Sequence, residues 1–217
     1  MKRFLFFILI VCIATGCRPK HQSESSRVIH PAAGSVKAEI KEGEDFRAFY
    51  VYQDKGSRNN HYTPSGFMPD GQCLFLNEGA SNKCFSGDSC IKISYDVACS
   101  RKGERWAGIY WLNPPNNWGK RKGGYNLKGA SRLTFRARGE LGTEQIQEFT
   151  VGGITGDYPD SDMIGMGPVI LSKTWKEYSI DLRGKDLSYI SGGFSWTTNV
   201  DVNSQPVIFY LDEIKFE

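Results

Sequence analysis

The 217-residue chain predicts an all-β fold, an antiparallel β-sandwich, on three observations. Apolar residues recur with period two in several short runs; Gly, Pro, Asn and Asp cluster between those runs; and no window of eleven or more residues carries a 3.6-residue apolar stripe. Period two marks half-buried strands, and many short strands with turn-rich connections build a sandwich or barrel.

The chain opens on a different kind of segment. Lys2 and Arg3 precede an apolar run from Phe4 to Ile13, followed by Ala14, Thr15, Gly16 and Cys17. A charged start, a short apolar stretch and small residues at a cut site predict a secretory signal over residues 1–16. The run is too short for a membrane span, which takes about 20 residues. Cys17 after Ala-Thr-Gly resembles the acylation site of bacterial lipoproteins, with Ala14 where a Leu is usual. That resemblance implies a diacylglyceryl thioether on Cys17, and several acyl chains at about 0.8 kcal/mol per buried methylene hold a protein to a membrane lastingly. Residues 17–45 are rich in Ser, Pro, Gly and charge, so they predict a tether. As a coil of about 28 residues it reaches on the order of 30 Å.

Residues 46–217 then form one domain of ordinary size. Its predicted strands run, in order, over Phe46–Gln53, Ile91–Tyr95, Trp106–Leu112, Leu133–Ala137, Glu148–Ile154, Tyr178–Leu182, Ile190–Trp196 and Val207–Glu217. In the last, Val207, Phe209 and Leu211 share a face that Ile214 and Phe216 leave by simple counting. A bulge near Asp212 and Glu213 restores them to the core. In the third, alternation sends Trp106 and Tyr110 inward and leaves Trp111 at a strand end.

Composition narrows the function classes. Losing Lys2 and Arg3 with the signal leaves the chain almost neutral, and the densest basic cluster is the short run Lys120, Arg121, Lys122. A nucleic-acid binder shows a basic face or stripe, so nucleic acid is not an expected partner. Cys73, Cys84, Cys90 and Cys99 form an even set in an exported domain, which predicts disulfides in one of three pairings. Cys90 and Cys99 along one strand stand roughly 30 Å apart, beyond any disulfide, unless the strand folds back. Cys84 with Cys90, closing a short loop, is preferred, leaving Cys73 with Cys99. A zinc site lacks a Cys-x-x-Cys spacing, and His61 is the domain's one histidine.

No nucleophile elbow, metalloprotease helix or phosphate loop is present. A carboxylate-pair glycosidase has Asp157, Asp160 and Asp162 as candidates, set in an Asp/Pro/Gly cluster of the kind that far more often forms plain turns. The expectation is therefore a non-enzyme with no organic cofactor. What stands out is aromatic residues beside amides: Trp111, Asn116, Asn117 and Trp118, with Tyr158 and Trp196 as further walls. Flat rings stack on the apolar faces of sugars and amides bond their hydroxyls, so these six residues are the candidate glycan-binding set.

The segments Tyr50–Asp54, Asn60–Gly66, Trp106–Trp111, Asn116–Gly119, Gly152–Ile154, Trp175–Leu182, Gly192–Phe194 and Phe209–Ile214 resemble the galactose-binding-like jelly rolls of carbohydrate-binding modules and bacterial surface proteins. The resemblance implies a jelly roll and a structural calcium between an early loop and the final strand, with Asp54, Asn60 and Asp212 as its oxygen ligands. The combined expectation is a lipid-anchored bacterial envelope protein, at the outer membrane or cell surface, displaying a glycan-binding sandwich. The alternatives are a structural or docking module for envelope proteins and, third, a glycoside hydrolase.

Overall fold

A computed structural model describes residues 46–69 and 71–217. The expected leader over 1–16, the tether over 17–45 and the lipid-attachment residue Cys17 lie outside the described residues. Among those described, no helix is long and apolar enough to cross a membrane.

Thirteen strands and one helical turn follow in order: β1 (Phe49–Tyr52), β2 (Thr63–Met68), β3 (Leu74–Ala80), β4 (Cys90–Tyr95), α1 (Val97–Ser100), β5 (Trp106–Leu112), β6 (Arg132–Gly139), β7 (Gln145–Ile146), β8 (Glu148–Gly152), β9 (Met163–Met166), β10 (Val169–Ile170), β11 (Lys176–Asp181), β12 (Gly192–Asn199) and β13 (Val207–Phe216). They pair antiparallel into one sheet of order β11-β6-β13-β4-β3, with β1 also on β13, a second of order β2-β5-β12-β8-β9, and a small β10-β7 pair. The all-β antiparallel sandwich is thus the architecture observed.

β13 shows how sequence becomes register. Val207–Leu211 pairs with β4, then the pairing with β6 shifts between Asp212 and Lys215, where Glu213 takes φ 48°. The extra residue returns Ile214 and Phe216 to the inner face, and both are fully buried alongside Val207, Phe209 and Leu211. The predicted bulge is therefore present where the count of apolar residues requires one. After it, β1 pairs with the last residues of β13, continuing the position that β4 occupied before it.

Between the sheets, Phe135 packs on Phe149 at 4.6 Å, Trp111 edge-on to Phe194 at 5.5 Å, and Trp196 edge-on to Phe209 at 4.9 Å. Trp111 and Trp196 are both 0% exposed. β5 runs opposite in parity to the expectation: Ala107, Ile109 and Trp111 join the main core, while Tyr110 and Leu112 form a separate apolar cluster with Ile154 and Met68, and Trp106 is 37% exposed. In Trp-Ala-Gly-Ile-Tyr-Trp-Leu both alternate sets carry aromatics, so the pairings with β2 and β12 decide the face, and a one-residue difference turns every side chain over.

Both disulfides are the preferred pairs, Cys73–Cys99 with Cα atoms 5.7 Å apart and Cys84–Cys90 at 5.3 Å. Cys99 does not lie along β4. The strand stops at Tyr95, and Asp96 caps α1 by accepting from the Ala98 and Cys99 amides at 2.9 and 3.1 Å. The Asp96 N–H donates to the Cys73 carbonyl at 2.9 Å, so the chain folds back toward its disulfide partner.

Candidate functional site

The site is built at the end of the second sheet, where the loop after β5 meets the loop between β8 and β9. Gly119 takes φ +74° and has no room for a Cβ against the Thr155 carbonyl; its own carbonyl accepts the Tyr158 N–H at 3.0 Å. Only glycine allows that close backbone approach. The contact sets the turn bearing Trp118 against the turn bearing Tyr158, and these side chains are 40% and 37% exposed. Asn116, in the left-handed region at φ 57°, is exposed and donates its N–H to the Ser65 hydroxyl at 2.9 Å.

Beneath Trp118 lies the outer-face cluster. Its indole stands edge-on over Tyr110, with centroids 5.8 Å apart and planes at 81°, the arrangement that ring quadrupoles favour. Gly66 on β2 leaves the space for this: a Cβ there would sit 2.8 Å from the Tyr110 Cβ and 3.0 Å from the Trp118 ring. The Tyr110 hydroxyl donates to the Gly152 carbonyl at 3.1 Å, and burial pushes its pKa up, so the ring stays a neutral floor. Met163, 54% exposed, and the Tyr110 hydroxyl both flank Gly153. One indole thus stands upright at the edge of a low apolar platform, with Tyr158, Asn116 and Met163 around it.

Three members of the candidate set do not belong there. Trp111 and Trp196 are core residues and present no face to a ligand. Trp196 follows Phe194 by two residues in unbroken register, so it shares that residue's inward face. Asn117 is 1% exposed and spends its amide locally: Nδ2 donates to the Arg121 carbonyl at 2.8 Å, and Oδ1 accepts from the Lys120 and Arg121 amides at 3.1 and 3.2 Å. It shapes the Trp118 turn, and that turn engages both ends of its amide. Tyr110 and Met163 are the residues that sequence reasoning missed. Parity opposite to Trp111 was the available signal for Tyr110.

The acids have equally local work. Asp160 accepts from the Ser191 hydroxyl at 2.6 Å through one oxygen and from the Ile154 and Gly192 amides at 3.1 Å through the other. It fastens the loop to the start of β12. Asp162 accepts from the Met163 amide at 2.8 Å and the Asp186 amide at 3.2 Å. Asp157 lies exposed on the loop surface.

The expected calcium ligands are likewise engaged by backbone N–H groups. Asp54 Oδ1 accepts from the Asp88 and Ser89 amides at 3.0 and 2.9 Å, and Asn60 Oδ1 from the Gln53 amide at 2.8 Å. Asp212 accepts from the Phe85 and Ser86 amides at 2.9 and 3.1 Å, and from the Glu213 amide at 2.9 Å. Asp54 and Asp212 thus hold the two ends of the Cys84–Cys90 loop by backbone N–H groups that a cation would repel. Among the described residues no three or more His, Cys, Asp or Glu gather as a metal site, and these three residues do not fit a calcium ion.

No family model matches the chain, and no curated protein matches it. Among solved structures the fold is similar to the family 30 carbohydrate-binding module of a cellulosomal cellulase of Clostridium thermocellum, at 12% identity over 79% of this chain and 97% of that one, TM-score 0.50. It is also similar to a family 29 carbohydrate-binding module from Piromyces equi (15% identity, 71% and 85% covered, TM-score 0.38). A third is a xylan-binding domain from Paenibacillus barcinonensis (11% identity, 82% and 97% covered, TM-score 0.43). At 12% identity the likeness to the family 30 module bears on fold alone, an antiparallel jelly-roll sandwich.

Proposed function

We propose that the chain displays a non-catalytic glycan-binding sandwich on a bacterial envelope membrane, held there by acyl chains on Cys17, at the outer membrane or cell surface. Trp118 carries the reading: a large indole left 40% exposed in a well-packed loop, braced from below by Tyr110 and flanked by Tyr158 and Asn116. A soluble protein gains nothing in stability from exposing such a ring, whereas a pyranose face laid on it removes apolar surface from water. The shared architecture with a carbohydrate-binding module supports the same ligand class.

A single stacked ring contributes a few kcal/mol at most, so affinity falls in the micromolar to millimolar range. Titrating soluble β-glucans, xylans and mannans while following indole fluorescence tests the proposal. Saturable quenching that Trp118→Ala abolishes is the expected result. A broad panel without response, together with stoichiometric recovery of one envelope protein from extract, would replace glycan binding with protein docking. Release of reducing ends would restore the hydrolase.

A further inference from the structure

The opposite face of the sandwich carries a feature that the Trp118 site does not use. Register pairs Asn77 of β3 with Lys92 of β4, Lys92 with Tyr210 of β13, and Tyr210 with Arg138 of β6. These four side chains form one row on the outer surface, because their neighbours Ile91, Ile93, Phe209, Leu211 and Ala137 alternate into the core. Lys92, Tyr210 and Arg138 of this row floor a groove of about 240 Å3 whose wall is the Ala80–Lys83 segment and whose rim holds Glu140.

Charge in that groove is unbalanced. Lys83, Lys92 and Arg138 face a single carboxylate, Glu140. The Arg138 side chain is only 8% exposed, its guanidinium lies 3.7 Å over the Tyr210 ring, and its ion pair with Glu140 spans 3.7 Å, longer than a hydrogen-bonded pair. Among the described residues neither Lys83 nor Lys92 forms an ion pair. A desolvated guanidinium stacked on an aromatic ring is a fixed donor fork, and that geometry matches a carboxylate or sulfate.

Beside the groove stands an apolar ledge. The Trp175 indole N–H donates to the Lys83 carbonyl at 2.9 Å, and its ring lies 6.3 Å from Phe85, which is 44% exposed, and 5.4 Å from the Arg138 guanidinium. The Cys84–Cys90 bridge, Asp212 and Asp54 hold the loop that presents Phe85. Cations next to an aromatic ledge match an anion borne on a ring with apolar faces better than a bare anion.

We propose that this groove is a second saccharide site, selective for an acidic unit: the anion meets Arg138, Lys83 and Lys92 while the sugar ring rests toward Phe85 and Trp175. That the anion is borne by a saccharide rests on the glycan-binding reading above.

The test titrates the full chain by calorimetry with polygalacturonate as a carboxylate polymer, dextran sulfate as a sulfated one, and the neutral glucans of the panel. The expected result is polyanion binding that weakens with salt. It should fall about tenfold in K83Q/K92Q, with neutral-glucan titration and melting temperature unchanged. The polymer that responds identifies the anion. K102Q/K128Q removes the same charge from exposed residues that do not line the groove, and an equal loss in that variant overturns the proposal, as does failure of both polyanions to bind. Polyanion binding with neutral glucans silent leaves this groove standing and removes the Trp118 reading; the reverse pattern does the opposite.

Discussion

Truncating Trp118 to alanine probes the account where its magnitude can be worked from the structure. A tryptophan side chain offers on the order of 250 Å2, so 40% exposure leaves roughly 100 Å2 of ring in water. Covering that area with a sugar face at about 25 cal/mol per Å2 is worth at most ~2.5 kcal/mol, and only part of it survives the cost of association. The expected loss in Trp118→Ala is therefore ten- to fiftyfold in Kd. Trp118→Phe should recover part of it, because a smaller ring can still lean on Tyr110. Trp111→Phe is the control: it alters a buried core ring, so it should lower the melting temperature and leave Kd alone. Its cost is ~1–3 kcal/mol, moderated because the Trp111 indole N–H has no hydrogen-bond partner to lose. Calorimetric titration with the best glycan of the panel and urea denaturation read the two effects separately. Unchanged affinity in Trp118→Ala, or equal losses in Trp118→Ala and Trp111→Phe, would refute the reasoning.

Burial pushes the Asp212 carboxyl up to about 6, above its unfolded value of 3.8, despite three backbone amides that favour the ion. A raised carboxylate pKa means that the folded state holds the proton more tightly, so this group's contribution to stability is lost as pH rises from about 4 through about 6. Relative to Asp212→Asn, the wild type should lose roughly 1–2 kcal/mol between pH 4.5 and 7.5, allowing for solvent screening; parallel urea profiles would contradict it. Opening the disulfides by Cys→Ser pairs should cost about 3.5 kcal/mol at Cys73–Cys99, separated by 26 residues, and about 2 kcal/mol at Cys84–Cys90, separated by 6, on loop-closure entropy. The reverse order in denaturation would reject that assignment of cause. Asn117→Ala should leave the Trp118 turn without its local bonds, costing ~1–3 kcal/mol of stability and weakening glycan binding though the side chain touches no ligand. A melting temperature within a degree of wild type would show the turn held by other contacts.

Much of this fold is legible in the sequence where one face of a strand is apolar and the other polar. β4, β6 and β11 show that contrast, and β13 shows even its bulge, because burying Ile214 and Phe216 is worth more than an unbroken ladder. β2 and β3 are not legible: Thr-Pro-Ser-Gly-Phe-Met and Leu-Phe-Leu-Asn-Glu-Gly-Ala are half-exposed edges with weak alternation. β5 is legible as a strand and ambiguous in parity, and that ambiguity misplaced Trp111. In the site, Trp118 and Tyr158 could be found because Gly, Asn and Pro around an aromatic leave it little core to enter. The burial of Trp196 had a signal too, since it shares parity with Ile190 and Phe194 on the inward face. The groove on the opposite face had no signal, because Lys92, Arg138, Trp175 and Tyr210 come from four separate segments whose spacing carries no motif.

The central claim, that a sugar lies on Trp118 and nowhere near the buried indoles, is tested most directly by the five tryptophan indole N–H resonances in a nitrogen–proton correlation spectrum. Titrating a neutral glycan should move the Trp118 resonance first and most, with Trp111 and Trp196 stationary. A spectrum in which Trp118 stays fixed while glycan binds, or in which every indole stays fixed across the panel, would contradict it.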